Sequence, residues 1–243
     1  MLRFAGVGYR INGHEILRGL TFDVAQGKTL VLLGRSGSGK TTALKMVNAL
    51  ILPTSGEVIV EGRATTEWNP IQLRRRIGYV IQETGLFPHF TVAQNVAVVP
   101  RLLEWPQDRV DARVHQLLNR VGLPPEQYAS RLPRELSGGQ RQRVGVARAL
   151  AADPPILLFD EPFGALDPVT RHEVRREFLT LARDLGKTIL FVTHDVREAV
   201  LVGDEIALLH QGALEERLPA SQFTRATSPE ARAFQSVLED PTP

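Results

Sequence analysis

Residues 30–41 read Leu-Val-Leu-Leu-Gly-Arg-Ser-Gly-Ser-Gly-Lys-Thr, and this stretch decides the fold. Leu30–Leu33 is a short apolar run of the kind that forms a buried strand. Gly34–Thr41 fits the spacing of a phosphate-binding loop, and the residues after it set Leu44, Val47 and Ile51 on one face of a helix. Each part of the loop has a physical task. Gly34, Gly37 and Gly39, with Arg35, Ser36 and Ser38 between them, let successive backbone N–H groups point into one concavity. The helix N-terminus adds partial positive charge to it. Lys40 can reach the β- and γ-phosphates of a nucleotide, the Thr41 hydroxyl is placed to ligate Mg²⁺, and Thr42 completes the nucleotide-binding set. The rival reading is an ordinary Gly/Ser turn, and the strand–loop–helix setting speaks against it.

A second apolar run, Ile156–Phe159, ends in the adjacent carboxylates Asp160 and Glu161. Strand alternation is expected to turn the two in different directions, which allows them different tasks. In a phosphate-loop enzyme, the acid closing a neighbouring strand organises Mg²⁺ and its waters, a role that suits Asp160. Glu161 is then the candidate general base for an attacking water. Without the phosphate loop the pair would read equally well as an acidic helix cap.

Composition excludes several classes. The 243 residues suffice for one large α/β domain or two small ones, and 43% hydrophobic with 23% charged residues is an ordinary globular balance. With no cysteine there are no disulfides, thiolate–zinc sites or thiol catalysis. The net charge of +2 is too small to make nucleic acid the default partner. No apolar run approaches the roughly 18–20 residues that span a bilayer, and the first residues lack a signal-peptide core, so the chain is not expected to cross a membrane. The arginines Arg74, Arg75, Arg76, Arg141, Arg143 and Arg148 lack interleaved aromatics and are expected to form a solvated, salt-bridged face.

Strand-sized runs alternate with amphipathic stretches, the pattern of an α/β domain with a largely parallel sheet. The N-terminus differs: Leu2–Tyr9 and Ile16–Val24 read as strands around a hairpin turn at Asn12-Gly13. A polar, proline-broken region from about Glu83 to Pro133 reads as a helical lobe with Val114, Leu117, Leu118 and Val121 as its apolar face. Ser137 opens a further helix. Asp167-Pro168 reads as the cap and first residue of a helix with Val174, Phe178, Leu181 and Leu185 in one stripe, ending at Gly186. Thr188–Val192 and Glu205–Leu209 are further strands, and Ser228-Pro229-Glu230 starts a short last helix.

Leu136-Ser137-Gly138-Gly139-Gln140 narrows the reading. Alone, Ser-Gly-Gly is a turn that opens a helix. Here a short helix separates it from the acidic strand, and the chain already holds a phosphate loop. The set resembles the ATP-binding cassette (ABC) family, whose signature is Leu-Ser-Gly-Gly-Gln, and the resemblance covers nearly the whole chain with the motifs in family order. Gln82, after the strand at Gly78–Ile81, resembles the Q-loop glutamine. Ala165-Leu166-Asp167 resembles the D-loop, His194 after Thr188–Thr193 the switch histidine, and Tyr9 the aromatic that stacks on adenine. Core-edge packing for Tyr9 and a surface site for His194 are the bland rivals.

The resemblance implies an α/β fold: a P-loop NTPase (RecA-like) core, an N-terminal antiparallel β-subdomain and an inserted α-helical subdomain at about 83–150. These would form a single ABC ATPase domain over 1–243 with a short C-terminal extension from about 213. It implies ATP hydrolysis with Glu161, His194 and Gln82 as catalytic residues, and Mg²⁺ held by Thr41, Gln82 and Asp160. Ser137, Gly138, Gly139 and Gln140 would bind the ATP of a second copy, with Asp167 at the shared interface, in an ATP-dependent head-to-tail dimer. Integral-membrane permease subunits would be direct partners, a substrate-binding protein an indirect one, and nucleic acid none; the location would be the cytoplasmic face of the membrane. Ile77–Val99 and Ala147–Asp167 look most like the ATPases of importers for glycine betaine, carnitine and choline. Many of those carry paired CBS repeats after the ATPase domain, whereas this chain stops soon after Leu238, so ionic-strength sensing is not expected of it. The alternatives are an ABC ATPase for another solute class or a soluble ABC ATPase acting on nucleic acid.

Overall fold

The computed structural model describes residues 1–82, 85–164 and 186–239. Along the chain run β1 (Leu2–Ile11), β2 (His14–Val24), β3 (Thr29–Leu33), α1 (Lys40–Val47), β4 (Ser55–Val60), β5 (Arg63–Ala64), α2 (Pro70–Arg75) and β6 (Ile77–Val80). There follow α3 (Val92–Leu102), α4 (Gln107–Arg120), α5 (Pro125–Tyr128), α6 (Gly138–Leu150) and β7 (Ile156–Asp160). The last elements are β8 (Thr188–Thr193), α7 (Val196–Val202), β9 (Glu205–His210), β10 (Ala213–Pro219) and α8 (Pro229–Glu239). Two compact units share these elements, Met1–Arg74 with Thr188–Pro243, and Arg75–Lys187.

In the first unit, β1 and β2 form the expected hairpin. Asn12 and Gly13 take φ of 51° and 81°, the left-handed pair that a two-residue turn needs to match strand twist. β4 pairs with the other side of β1 to give the antiparallel order β2-β1-β4-β5. The same unit holds parallel strands: β3 pairs with β8 on one side and β9 on the other, and β10 closes antiparallel on β9. All six residues of β8 are buried, as are Leu30–Leu33 of β3, the mark of strands covered on both faces. Helix α1 stops earlier than its periodicity predicts. Ala49 takes φ of 50° and turns the chain, so Leu44 and Val47 belong to the buried stripe while Ile51 lies past the helix.

In the second unit, β6 and β7 pair in parallel, and every residue of β7 is buried. Its helices α3, α4 and α6 pack on one another. Val114, Leu117 and Leu118 of α4 are buried as expected, and Val121 is buried just after the helix ends. The helix expected from Asp167-Pro168 to Leu185 falls outside the described residues.

Arg74 and Arg76 are exposed as expected, whereas Arg141, Arg143 and Arg148 are half-buried, and four of the arginines bond to backbone carbonyls. Arg74 donates to the carbonyls of Asn48 and Ala49 at the end of α1, Arg141 to Leu136, Arg143 to Val121 and Arg148 to Gly85. They close helix ends and loops through backbone oxygens, which leave several lone pairs unfilled where chains turn. Arg148 is half-buried, and that burial lowers its pKa from the ordinary value.

Candidate nucleotide-binding site

The phosphate loop leaves β3 at Gly34 and enters α1 at Lys40. Its shape depends on glycine at specific positions. A Cβ on Gly34 would lie 2.3 Å from the Leu209 carbonyl oxygen, and one on Gly39 would lie 2.5 Å from Leu17 Cδ2. Gly39 also takes φ of 97°, and as N-cap of α1 it offers no side-chain hydrogen bond to the helix N–H groups. An uncapped N-terminus of this kind is suited to an anion. Lys40 is buried, and its ammonium donates to the carbonyls of Gly34 at 2.7 Å and Arg35 at 2.9 Å, across the mouth of the loop. The Ser38 hydroxyl is buried with no hydrogen-bond partner among the described residues. An orphaned hydroxyl, an uncapped helix end and a folded-back ammonium in one loop fit a phosphate group. Ser36 and Gly37 are exposed, and Thr41 and Thr42 are half-buried in the first turn of α1.

Strand register aligns other candidates with this loop. Leu33 of β3 pairs in parallel with Thr193 of β8, so the loop and His194 leave the same ends of adjacent strands. His194 is exposed. Tyr9 pairs with Leu17 in the hairpin, and Leu17 packs against Gly39, so the half-buried Tyr9 ring lies one strand from the loop wall. Ligand sites at the carboxyl ends of parallel strands are the general rule in α/β sheets.

The second unit repeats that logic. Val80 of β6 pairs with Phe159 of β7, so Gln82 and the two carboxylates also leave neighbouring strands at one end. Asp160 is the last strand residue and is buried. Glu161 lies outside the strand with φ of 45°, a conformation uncommon for a non-glycine residue. The two carboxylates therefore part through a left-handed turn and not through pleat alternation, which corrects the sequence expectation. Gln82 Nε2 lies 3.6 Å from where a Cβ of Gly164 would stand, beside the turn that Glu161 opens. In the second unit Gln82 and Asp160 offer amide and carboxylate oxygens, and in the first Thr41 offers a hydroxyl; each is a hard donor of the type that Mg²⁺ takes.

Asp160 accepts a hydrogen bond from the Tyr79 hydroxyl at 3.3 Å. Burial pushes the Tyr79 phenol up, and the charge and hydrogen bond of Asp160 add to the shift, so Tyr79 stays a donor. The sequence reading assigned Tyr79 no role, although its place three residues before Gln82 on a strand paired with β7 was the available signal.

Ser137 is the N-cap of α6, and its hydroxyl accepts from the Gln140 N–H at 3.2 Å while Gln140 Oε1 accepts from the Ser137 N–H at 2.9 Å. This capping box holds Gly138 and Gly139 in the first turn, and Gln140 Nε2 also donates to the Tyr128 hydroxyl at 3.2 Å. Asp167 lies outside the described residues.

Comparison with known proteins agrees with these motifs. Residues 17–164 match the family described as ABC transporter. The glycine betaine/carnitine/choline transport ATP-binding protein OpuCA of Bacillus subtilis (strain 168) is 47% identical over 92% of this chain and 61% of its own length. The glycine betaine uptake system ATP-binding protein YehX of Escherichia coli (strain K12) is 44% identical over 96% of this chain and 76% of its own length. The chain thus spans less than two thirds of OpuCA. Among solved structures, the ATP-binding cassette MJ0796, a dimer in a post-hydrolysis state bound to ADP and Pi, matches with TM-score 0.79 at 32% identity, covering 90% of this chain and 99% of that one. The motifs and the matches give one answer: the chain belongs to the ABC transporter family and has the α/β P-loop fold of its ATP-binding cassettes.

Proposed function

We propose that the chain hydrolyses ATP to power an importer for quaternary-amine osmoprotectants, working with a second copy of itself beneath membrane-spanning permease subunits. The observation that carries the ATPase reading is the loop at Gly34–Thr41, with its orphaned Ser38 hydroxyl and its Lys40 ammonium folded onto two carbonyls. Lys40 exchanges those carbonyls for phosphate oxygens, and the α1 N-terminus takes the remaining negative charge. Tyr9 stacks on adenine. Glu161 accepts a proton from the attacking water, and His194 donates to the γ-phosphate. Thr41, Gln82 and Asp160 would hold Mg²⁺, which when bound would supply neutralisation of the negative charge on the phosphate oxygens. Ser137–Gln140 of one copy completes the site of the other, so ATP binding closes the dimer and loss of the γ-phosphate opens it.

The solute class rests on the names of the relatives, OpuCA and YehX among them. Among the described residues no helix is long and apolar enough to cross a membrane; the peripheral location at the cytoplasmic face rests on the relatives' names as transport ATP-binding proteins. The permease contact is assigned to Gln82–Phe90. Phe87 is 42% exposed there, beside a cavity of about 260 Å³ that Tyr79, Val98, Val99 and Arg148 also line. The test is reconstitution in proteoliposomes with the permease that co-purifies with the chain and its binding protein. ATP turnover rises with glycine betaine, carnitine or choline; stimulation by a sugar or a metal alone overturns the solute class and leaves the ATPase standing. Co-purification of nucleic acid in place of a membrane protein overturns the transport reading.

A further inference from the structure

Glu198 is a buried carboxylate with no part in the chemistry above. It sits in α7 at 4% exposure, and its Oε2 accepts a hydrogen bond from the Thr193 hydroxyl at 2.6 Å. Thr193 is itself 1% exposed. The same Thr193 oxygen accepts the Asp195 N–H at 3.0 Å. Asp195 caps α7, its Oδ1 accepting from the Arg197 and Glu198 N–H groups at 2.8 and 3.4 Å.

An ordinary capping box would bring the glutamate back to the N-cap N–H directly. Here the Thr193 hydroxyl stands between them, and the bonds form a closed ring from Thr193 through Asp195 to Glu198. His194 is the residue the ring encloses in sequence, exposed between two anchored neighbours. Capping alone does not account for the arrangement, because Asp195 already caps the helix and an exposed glutamate would avoid the cost of burial. Register extends the anchor, since Thr193 pairs with Leu33, the residue before the phosphate loop.

We infer that Glu198 is a positioning residue that aims His194 at the terminal phosphate through Thr193. The inference rests on the proposed role of His194, and the experiment separates the two. Turnover and ATP affinity are measured for the full chain carrying Glu198→Gln, Thr193→Val, Thr193→Ser and His194→Ala, and for Glu198→Gln combined with His194→Ala. Glu198→Gln and Thr193→Val lower kcat by about tenfold or more while KM moves by about twofold or less, the signature of lost orientation. Thr193→Ser keeps the hydroxyl and restores kcat. Added to His194→Ala, Glu198→Gln costs nothing further, because its effect passes through the imidazole. Losses that multiply, or a Thr193→Ser variant as slow as Thr193→Val, would overturn the inference while leaving His194 in place. Wild-type turnover in His194→Ala would remove the histidine's role and the inference with it. If Glu198→Gln does not fold, the threonine pair decides, with Thr193→Val taking its place beside His194→Ala.

Discussion

Arg35 Nε lies 2.5 Å from Glu230 Oε1, so the second residue of the phosphate loop is tied to the last described helix, 195 residues away in sequence. Glu230 is buried and also has His210 Nδ1 at 3.7 Å from its other oxygen. The Arg35 backbone is held as well, since its carbonyl accepts from Lys40. Helix α8 therefore fixes the peptide on which the Lys40 ammonium rests, the group proposed to bind the phosphates.

The pair is partly exposed on the arginine side, which limits its worth to roughly 1 kcal/mol or less. Glu230→Gln is expected to weaken binding of a fluorescent ADP analogue by about two- to fivefold, Arg35→Ala equally, and the double variant no further. High salt should narrow the difference. Tighter binding in Glu230→Gln would mean instead that the glutamate holds Arg35 away from the phosphates.

Glu161→Gln keeps the side-chain shape and removes the base. Turnover should fall by ~10²–10⁴-fold with ATP binding retained. With hydrolysis blocked, the ATP-bound dimer should accumulate and run as a dimer on a sizing column. Near wild-type turnover would return Glu161 to a structural role at the turn it opens.

Tyr79→Phe tests the hydrogen bond to Asp160 through its pH dependence. Tyr79 is an acid whose folded pKa is raised above its ordinary value of 10.0, so its stabilisation is complete below pH 10 and declines as pH rises past it. Because the phenol is only half-buried, solvent screening keeps the contribution near 1 kcal/mol or less. Urea unfolding should show Tyr79→Phe less stable than the native chain at pH 8, with the gap narrowing as pH rises above 10. A gap that stays constant over that range would show that the phenol is not held by the carboxylate.

How far the sequence could be read follows from how local each signal is. The phosphate loop was legible because close backbone approach and left-handed φ demand glycine at fixed spacing, and Gly34 and Gly39 meet those demands. The hairpin was legible for the same reason at Asn12-Gly13. The end of α1 was not, since Ala49 adopts a left-handed φ that its residue type does not announce and Ile51 keeps the helical period beyond it. Glu161 leaves the strand by a similar turn, which alternation could not foresee. Arg141, Arg143 and Arg148 read as solvated charge because nothing local shows that their partners are carbonyls, whereas Arg74 is exposed as read. The Arg35–Glu230 bond lies beyond any local pattern, and the sequence reading did not single out Asp195 and Glu198, whose spacing is that of a helix cap.

The loop before α3 carries the last prediction, which concerns coupling to the membrane partner. Asn95 is fully buried; its side-chain amide donates to the carbonyls of Phe87, Phe90 and Thr91, and its Oδ1 accepts the Phe87 N–H at 2.8 Å. Arg148 holds the other end by donating to the Gly85 carbonyl at 2.8 Å. The backbone of residues 85–91 is thus fastened from within, while the Phe87 ring stays exposed, packed against Phe90 at 5.1 Å. A backbone fastened in this way and presenting an apolar ring beside a cavity suits a short partner helix, and under the proposed function the nucleotide state sensed at Gln82 would bias that contact. Phe87→Asp places a charge on that surface without touching the Asn95 bonds, so basal hydrolysis by the isolated chain should remain largely intact. In proteoliposomes with the co-purified permease, solute-stimulated turnover should fall by about tenfold or more, as expected when a charge must be buried unpaired. Asn95→Ala releases the loop and should lower stimulation as well, by a route that Phe87→Trp would not follow. Full stimulation in Phe87→Asp would move the permease contact away from this loop and leave the ring as an anchor of the helical segment.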